Sequence, residues 1–539
     1  MRKVLIAMAV AAGLSSAAGA QAAGTPGNAA STGASALQAG DIAFANSGSA
    51  AAQAPFLAGL ALLHDFEYQR AAEAFRQAQR ADPGFAMAYW GEAMTYNHAV
   101  WMEQDPAAAR AVLARLAAGP RERQAKGPTA RERDYLGALE TLYGEGTKEA
   151  RDFRYADAMA ALHARYPRDV DATAFYALAL LGTSHEGRDF AIYMKAAALL
   201  EEVYPTHLTH PGVLHYLIHS YDDPIHAPLG LRAANRYGLV APDAPHALHM
   251  TSHIFIAMGM WDEVIAANVK AIRLVNVMRA SHGRPPSGCG HYPSWLMYGY
   301  LQERRDAESA ATLAACRASA ETELAAPRPV DADTDHSDVA SYVSMRLMKV
   351  IETGRWEPSE HLVWPRADHA FTDFEDAYGE AVAALRADDT PRLQAATTNL
   401  ADLRGPVLAA YSADAASRAA DRQTVQIIVD QVAAAARIRA GDVDAGLAAL
   451  RKAAESETAL PMEFGPPPVR LPTWELLGDE LLRAHRPAEA ASAYRNALAR
   501  APGRTRSLRG LENSERLNGE AAAAAAATAE LARYPRAPR

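Results

Sequence analysis

The sequence is poor in aromatic and β-branched residues, carries no excess of positive charge and has no long apolar run after its first residues. Aromatic residues make up 7% of the 539 residues, and alanine dominates the apolar half, which favours helix over sheet. The formal net charge is −9 without any basic stripe, so nucleic acid is not an expected partner. Phosphate-binding glycine loops, dinucleotide fingerprints and G-x-S-x-G elbows are also missing.

The N-terminus has the order of a secretory signal. Arg2 and Lys3 open the chain, an apolar run follows that is too short to span a bilayer, and small residues come next. We therefore predict a signal peptide over residues 1–20 and a flexible leader rich in Ala, Gly and Ser over 21–50. The expected location is the periplasm or the exterior of the cell, and no membrane span is expected.

A repeat of 34 residues is visible at both ends of the chain. Near the C-terminus its signature residues are Trp474, Leu477, Gly478, Leu481, Ala490, Tyr494, Ala497 and Pro502. Near the N-terminus they are Gly59, Ala71, Phe75, Ala78 and Pro83. Both sets resemble the tetratricopeptide-repeat (TPR) family, in which small residues let two helices pack closely and proline ends the second helix. The resemblance implies an all-α fold, a TPR-like α-solenoid of antiparallel helix pairs in one or two lobes.

The predicted organisation follows the regularity of the helical pattern. Residues 51–320 are expected to form an N-terminal TPR-like array, and residues 377–539 a C-terminal set of TPR-like helical repeats. Between them, residues 321–376 contain several prolines and acids, and are interpreted as an irregular connecting segment.

Four histidines form a ladder in the middle of the chain. His215 and His219 are four residues apart, and His249 and His253 repeat the pair 34 residues later. Residues four apart lie above one another on a helix face. Because equivalent helices of neighbouring repeats lie side by side, we expect the two pairs to come within reach of a common ion.

The TPR resemblance adds further candidates for the same concave groove. Positions that line the groove in that family would also carry His246, Asp222 and Asp223. His210 stands just before the first ladder helix, and His291 opens the next comparable helix. Together the candidate metal ligands are His215, His219, His249, His253, His246, Asp222, Asp223, His210 and His291.

Imidazole pairs at this spacing are the geometry that binds a transition metal on a helix, and zinc or copper fits such a ligand set. Whether the ion would be catalytic is left open by the residues. One alternative is a metal-free scaffold whose groove binds a peptide or a partner protein, as TPR arrays often do. The other is that the histidines only pack or form hydrogen bonds.

The histidine-rich stretch from His210 to Trp261, together with AMAYWGEAMTYNHAVW nearer the N-terminus, resembles a group of exported bacterial TPR proteins with no settled activity. That resemblance covers most of the mature chain and implies the fold, but not the chemistry.

Two cysteines complete the set of informative residues. Cys289 and Cys316 lie about equally far from the turn between two predicted antiparallel helices, near Arg304. An oxidising compartment permits a disulfide between them, and two buried free thiols are the alternative.

Overall fold

A computed structural model describes residues 37–326, 337–364, 369–411 and 419–534. Within them the chain forms 24 α-helices and one hairpin of two-residue strands. None of the described helices is both long and apolar enough to cross a bilayer. The predicted signal peptide over 1–20 lies outside the described residues.

The helices follow one another with short connections. The first twelve are α1 (Ala50–His64), α2 (Tyr68–Ala81), α3 (Ala86–Met94), α4 (Pro106–Leu116), α5 (Pro120–Ala125), α6 (Ala130–Leu142), α7 (Lys148–Arg165), α8 (Val170–Leu181), α9 (Phe190–Val203), α10 (Pro211–Tyr221), α11 (Ala227–Val240) and α12 (Pro245–Ala257). The others are α13 (Trp261–Ser281), α14 (His291–Gln302), α15 (Asp306–Leu324), α16 (Asp338–Thr353), α17 (Ala370–Arg386), α18 (Thr390–Ala410), α19 (Ala419–Arg439), α20 (Val443–Thr458), α21 (Thr473–Arg483), α22 (Pro487–Arg500), α23 (Thr505–Leu517) and α24 (Ala521–Leu531). The hairpin pairs β1 (Asn97–His98) with β2 (Glu103–Gln104).

Close packing within helix pairs depends on glycines that face aromatic rings. A Cβ atom added to Gly91 on α3 would lie 2.3 Å from a ring carbon of Phe75 on α2. One added to Gly478 on α21 would lie 2.7 Å from the ring of Tyr494 on α22. Because no other residue leaves that space, each glycine lets the paired helices approach closely. The sequence signature of the repeat is thus a packing requirement.

The helix pairs stack into a solenoid. Each helix packs against its neighbours in sequence, and alternate helices such as α8, α10 and α12 lie side by side. The predicted all-α, TPR-like α-solenoid of antiparallel helix pairs is confirmed. Two large apolar cores form within the described residues, one from residue 39 to 364 and the other from 347 to 494, and both include side chains of α16. A third, small cluster consists of Ile265, Leu296 and Tyr300.

The C-terminal repeats return to contact the middle of the solenoid. Trp261 Nε1 donates a hydrogen bond of 3.0 Å to the carbonyl oxygen of Gly503, and Thr505 N donates one of 3.0 Å to Gln302 Oε1. These contacts join the start of α13 and the end of α14 to the turn between α22 and α23. As a consequence, the loop over residues 459–472 lies against α10 and α12, which places Phe464 beside the histidine ladder.

Two segments are more regular than the sequence suggested. Residues 338–353, inside the predicted irregular connection over 321–376, form α16, because apolar residues recur there every three or four positions. Residues 37–49, the described part of the predicted flexible leader, have defined contacts. Ala39 and Phe44 are buried, and Asp41 N donates to the carbonyl oxygen of Thr209 at 3.0 Å.

Cys289 and Cys316 form a disulfide. Cys289 lies just before α14 and Cys316 lies on α15, and both are buried. Of the two alternatives that the sequence left, the bridge is the one that the structure contains. It ties the loop between α13 and α14 to α15, two residues before His291 at the start of α14.

We expect the double substitution Cys289→Ser, Cys316→Ser to lower the free energy of unfolding by about 3 kcal/mol, because the bridge closes a loop of moderate length in the unfolded chain. Urea denaturation followed by circular dichroism measures the loss. As a control, the parent protein in reductant should reach the same midpoint, whereas the double variant should not respond to reductant. Equal stability of the oxidised parent and the variant would contradict the expectation.

Candidate metal centre

The two helices that carry the histidine ladder lie side by side in the interior. α10 presents His215 and His219, and α12 presents His249 and His253 one repeat later. Every residue of both helices is buried, so the ladder has no polar outer face. The structure places the two pairs beside each other, with the ring centroids of His219 and His253 5.6 Å apart. Their surroundings are an enclosed interior and not the open concave groove that was expected.

The first triad consists of His215, His219 and His246, whose ligand nitrogens lie within 4.8 Å of one another. His215 Nδ1 donates a hydrogen bond of 2.6 Å to the carbonyl oxygen of His64. A carbonyl oxygen only accepts, so His215 Nε2 carries a lone pair, and this buried nitrogen has no hydrogen-bond partner. The lone pair is therefore available to an ion.

The other two members of the first triad, His219 and His246, have no hydrogen-bond partner on either ring nitrogen. All four of these nitrogens are buried. His219 Nδ1 lies 3.4 Å from Asp222 Oδ2, but this contact does not have the geometry of a hydrogen bond. Each unsatisfied buried polar group costs about 1–3 kcal/mol, and a cation bound among these nitrogens would remove that cost.

The second triad consists of His249, His253 and His291, again within 4.8 Å. His249 Nε2 lies 3.2 Å from His253 Nε2 and 2.8 Å from His291 Nε2. Three ring nitrogens thus converge on one point. An ion about 2 Å from each nitrogen fits this convergence after shifts of less than about one ångström.

The hydrogen bonds behind the second triad fix which nitrogens carry lone pairs. Asn268 Nδ2 donates to the carbonyl oxygen of Val264 at 2.8 Å, so its Oδ1 accepts from His249 Nδ1 at 2.7 Å. Asp222 Oδ2 accepts from His253 Nδ1 at 2.9 Å. Both imidazoles therefore direct lone pairs from Nε2 toward each other, and two lone pairs 3.2 Å apart repel unless a proton or a metal ion lies between them.

Burial also keeps these imidazoles in the form that binds metal. Removal from water lowers the pKa of His215, His246, His249 and His291 well below the usual histidine value. The same effect lowers the pKa of His253 to about 4, although Asp222 opposes it. Neutral imidazole is the state that binds transition metals, so no proton needs to be displaced near neutral pH.

The arrangement differs from the predicted sharing of one ion by the four ladder histidines. Each pair takes a third histidine instead: His246 completes the pair on α10, and His291 completes the pair on α12. The reason is geometric. His246 is the second residue of α12 and His291 is the first residue of α14, so each triad combines the first turn of one helix with the histidine pair of the helix two places earlier in the chain.

Asp222 and Asp223 have separate places although they are adjacent. Asp222 forms a group with His219 and His253 that lies between the two triads, and it pairs with Arg188. Asp223 accepts from the backbone nitrogen of Ile225 and from His226 Nδ1, and lies 3.5 Å from Arg188. Asp222 is therefore a candidate ligand or orienting residue, whereas Asp223 is occupied at the start of α11.

His210 belongs to another cluster, in which every ring nitrogen has a partner. His210 Nε2 and His64 Nε2 donate to Asp171 Oδ1 at 3.2 and 3.0 Å. His210 Nδ1 accepts from the backbone nitrogen of Val213, and His64 Nδ1 lies 2.9 Å from the hydroxyl of Tyr216. These residues are close enough to hold an ion, but all four ring nitrogens of His64 and His210 already have hydrogen-bond partners, and the cluster joins α1, α8 and α10.

Aromatic side chains enclose both triads. The ring of Phe66, in the turn after α1, lies 4.3 Å from that of His215. Trp295 on α14 lies 4.7 Å from His253, and Phe464 of the loop over 459–472 lies at the same distance on another side. These groups exclude water, which explains why the predicted concave groove is closed at the ladder.

Comparison with known proteins gives no family for the chain. No protein-family model and no curated protein matches it. Among solved structures, the APC/C hetero-tetramer Cut9-Hcn1 is 12% identical, with 87% of this chain and 78% of that chain covered and a TM-score of 0.35. The P58(IPK) TPR domain is 12% identical, with 87% and 99% covered and a TM-score of 0.23. Yeast Tom70 is 12% identical, with 90% and 85% covered and a TM-score of 0.26. Values this low give no information about what this chain binds.

Proposed function

We propose that this protein binds two transition-metal ions, zinc or copper, one in each histidine triad. The observation that carries the proposal is the set of buried lone pairs. In the first triad, five ring nitrogens have no hydrogen-bond partner, and in the second triad three Nε2 atoms converge. A histidine that serves packing alone does not need to leave its nitrogens facing one another in a dry interior.

The groups behind the ligands support the same proposal. Metal-binding histidines usually donate their second ring nitrogen to a carbonyl, an amide or a carboxylate, which fixes the ring. The carbonyl of His64 has this place behind His215, Asn268 behind His249 and Asp222 behind His253. Asp222 is also close enough to His219 to contribute an oxygen ligand between the two ions.

The disulfide and the sequence of the N-terminus support a location outside the cytoplasm. A bridge between Cys289 and Cys316 is stable where thiols are oxidised, as in the periplasm or outside the cell. We propose that the protein is exported and acquires its metal there.

Elemental analysis of protein purified without a histidine tag tests the proposal. We expect about two zinc or copper ions for each chain, because two complete triads are present. The substitution His215→Ala should remove one ion and His249→Ala the other, and the double variant should hold none. Helix content by circular dichroism should be unchanged.

A matched control is His163→Ala on α7. Its ring contacts Thr173 away from both triads, so its metal content should equal that of the parent. Protein without stoichiometric metal would contradict the proposal. A peptide or partner protein whose binding survives chelation would then support the scaffold alternative.

A further inference from the structure

The two triads offer their ions no charged ligand apart from Asp222. The other six ligands are imidazoles, which bind a metal ion as neutral donors and bring no negative charge to it. Asp222 is itself paired with Arg188, which is also 3.5 Å from Asp223. Together with Glu463, which lines a cavity beside Asp222, these side chains give the immediate surroundings of the centre no more than two net negative charges.

This shortage of negative charge favours monovalent over divalent metal ions. Two divalent ions would bring four positive charges into a dry interior, where uncompensated charge is costly. Two copper(I) ions bring half of that charge. Copper(I) also forms stable three-coordinate sites with nitrogen ligands, whereas zinc in a three-histidine site requires a fourth ligand such as water.

The two triads also face each other closely. The ring centroids of His219 and His253 are 5.6 Å apart, and those of His246 and His249 are 6.2 Å apart. Each pair joins one member of the first triad to one member of the second. Two ions held by these triads would therefore be neighbours, each with three histidines as ligands.

The enclosure around the triads selects a small and uncharged ligand. Phe66, Trp295 and Phe464 cover the histidines, and the loop over 459–472 closes the space above α12. A peptide, sugar or nucleotide does not fit there without opening of the loop.

We propose that the centre holds a pair of copper(I) ions that binds dioxygen between them. This inference rests on the proposed function, because it needs both triads to hold metal. On binding, each copper(I) loses one electron and becomes copper(II), and the dioxygen molecule gains two electrons and becomes bound peroxide, with no proton transferred. Copper is one of the cofactors through which proteins react with dioxygen.

The charge balance fits the surroundings on both sides of this step. Two copper(I) ions carry two positive charges, and two copper(II) ions with a peroxide dianion carry the same total. Because the net charge of the centre does not change, the interior needs no additional carboxylate to stabilise the oxygenated state. A water-excluding aromatic wall also limits loss of the peroxide by protonation.

The test is an anaerobic titration of metal-free, full-length protein with a copper(I) acetonitrile complex, followed by exposure to dioxygen. We expect two copper ions for each chain and uptake of one dioxygen molecule for each copper pair. The oxygenated protein should show a new charge-transfer absorption. It should give no electron paramagnetic resonance (EPR) signal, since the spins of neighbouring copper(II) ions pair.

His291→Ala is the matched variant, because it removes one ligand of the second triad at the start of α14 and leaves the first triad intact. It should hold one copper ion and, after oxidation, show the EPR signal of an isolated copper(II). Zinc-filled parent protein should take up no dioxygen.

The outcomes separate the two proposals. Copper-filled protein that takes up no dioxygen, or that shows two isolated copper(II) signals, overturns this inference while metal binding stands. The same holds if zinc displaces copper(I) from both triads under competition. Protein that binds neither metal overturns both proposals.

Discussion

Replacement of Arg504 with methionine is expected to lower the free energy of unfolding by about 4 kcal/mol, because it removes the cation from a buried ion network. Arg504 is fully buried. Its Nε and Nη2 atoms donate to Glu475 at 2.8 and 3.0 Å, and its Nη1 atom lies 2.6 Å from Glu352 Oε1. The same Nη1 donates to the hydroxyl of Tyr298 at 3.0 Å. Without the guanidinium, two carboxylates remain in the interior with less compensation.

Urea denaturation measures the change, and the partner residues supply the controls. Arg437→Met removes an exposed arginine that pairs with the equally exposed Asp442, and it should cost less than about 1 kcal/mol. The double substitution Arg504→Met, Glu475→Leu should recover part of the loss, because it also removes one of the stranded carboxylates. An Arg504→Met variant as stable as the parent would show that this network does not hold the C-terminal repeats in place.

The position of this network links stability to the candidate metal centre. Arg504 stands before α23, whereas Glu352 lies on α16 and Tyr298 on α14. The network thus fastens the C-terminal repeats to the middle of the solenoid. The same repeats hold the loop over 459–472 that places Phe464 against His253. Loosening of this contact should therefore expose the triads to water before the N-terminal array unfolds.

The helical part of the fold was accessible from the sequence because its signals are local. Apolar periodicity and punctuating prolines in the sequence predict helices over residues 171–181, 213–221 and 247–258. The structure has helices over Val170–Leu181, Pro211–Tyr221 and Pro245–Ala257. The sequence alone does not predict α16, because prolines and acidic residues flank its sixteen residues and obscure their regular apolar period. The composition of residues 321–376 therefore indicates an irregular segment, although the apolar period within it is that of a helix.

The histidine ladder was predictable for the same reason, and the completed triads were not. The 34-residue spacing alone places His215 and His219 beside His249 and His253. His246 joins the first pair and His291 joins the second. Both contacts depend on how the helices of neighbouring repeats are placed along their axes, and the second depends also on the long loop before α14. Sequence patterns over a few residues predict neither the relative placement of the helices nor the path of that loop.

The surroundings of the ladder depend on contacts between distant parts of the chain. The turn after α1 brings Phe66 and the carbonyl of His64 to His215, about 150 residues further along. Phe464 reaches the other side from beyond α20. The sequence therefore predicted groove-facing histidines, and only the closure of the superhelix makes them buried. Asn268 was missed because it lies on α13, which does not belong to the ladder.

The substitution His246→Leu should raise the stability of the metal-free protein and lower its capacity to bind metal. Because both ring nitrogens of His246 are buried without partners, an apolar side chain of similar size removes their desolvation cost. We expect the metal-free protein to gain about 2 kcal/mol in the free energy of unfolding, whereas the ion of the first triad is lost. Chemical denaturation after exhaustive chelation and elemental analysis before it measure the two effects.

His64→Leu is the matched comparison, since His64 is equally buried but both of its ring nitrogens have partners, Asp171 and the hydroxyl of Tyr216. It should destabilise the metal-free protein, because Asp171 is left with fewer hydrogen bonds in the interior. A site that lowers the stability of the metal-free fold is retained for a function that the metal-bound fold performs. If His246→Leu instead destabilises the metal-free protein as His64→Leu does, its nitrogens are satisfied without an ion, and the first triad is a packing cluster.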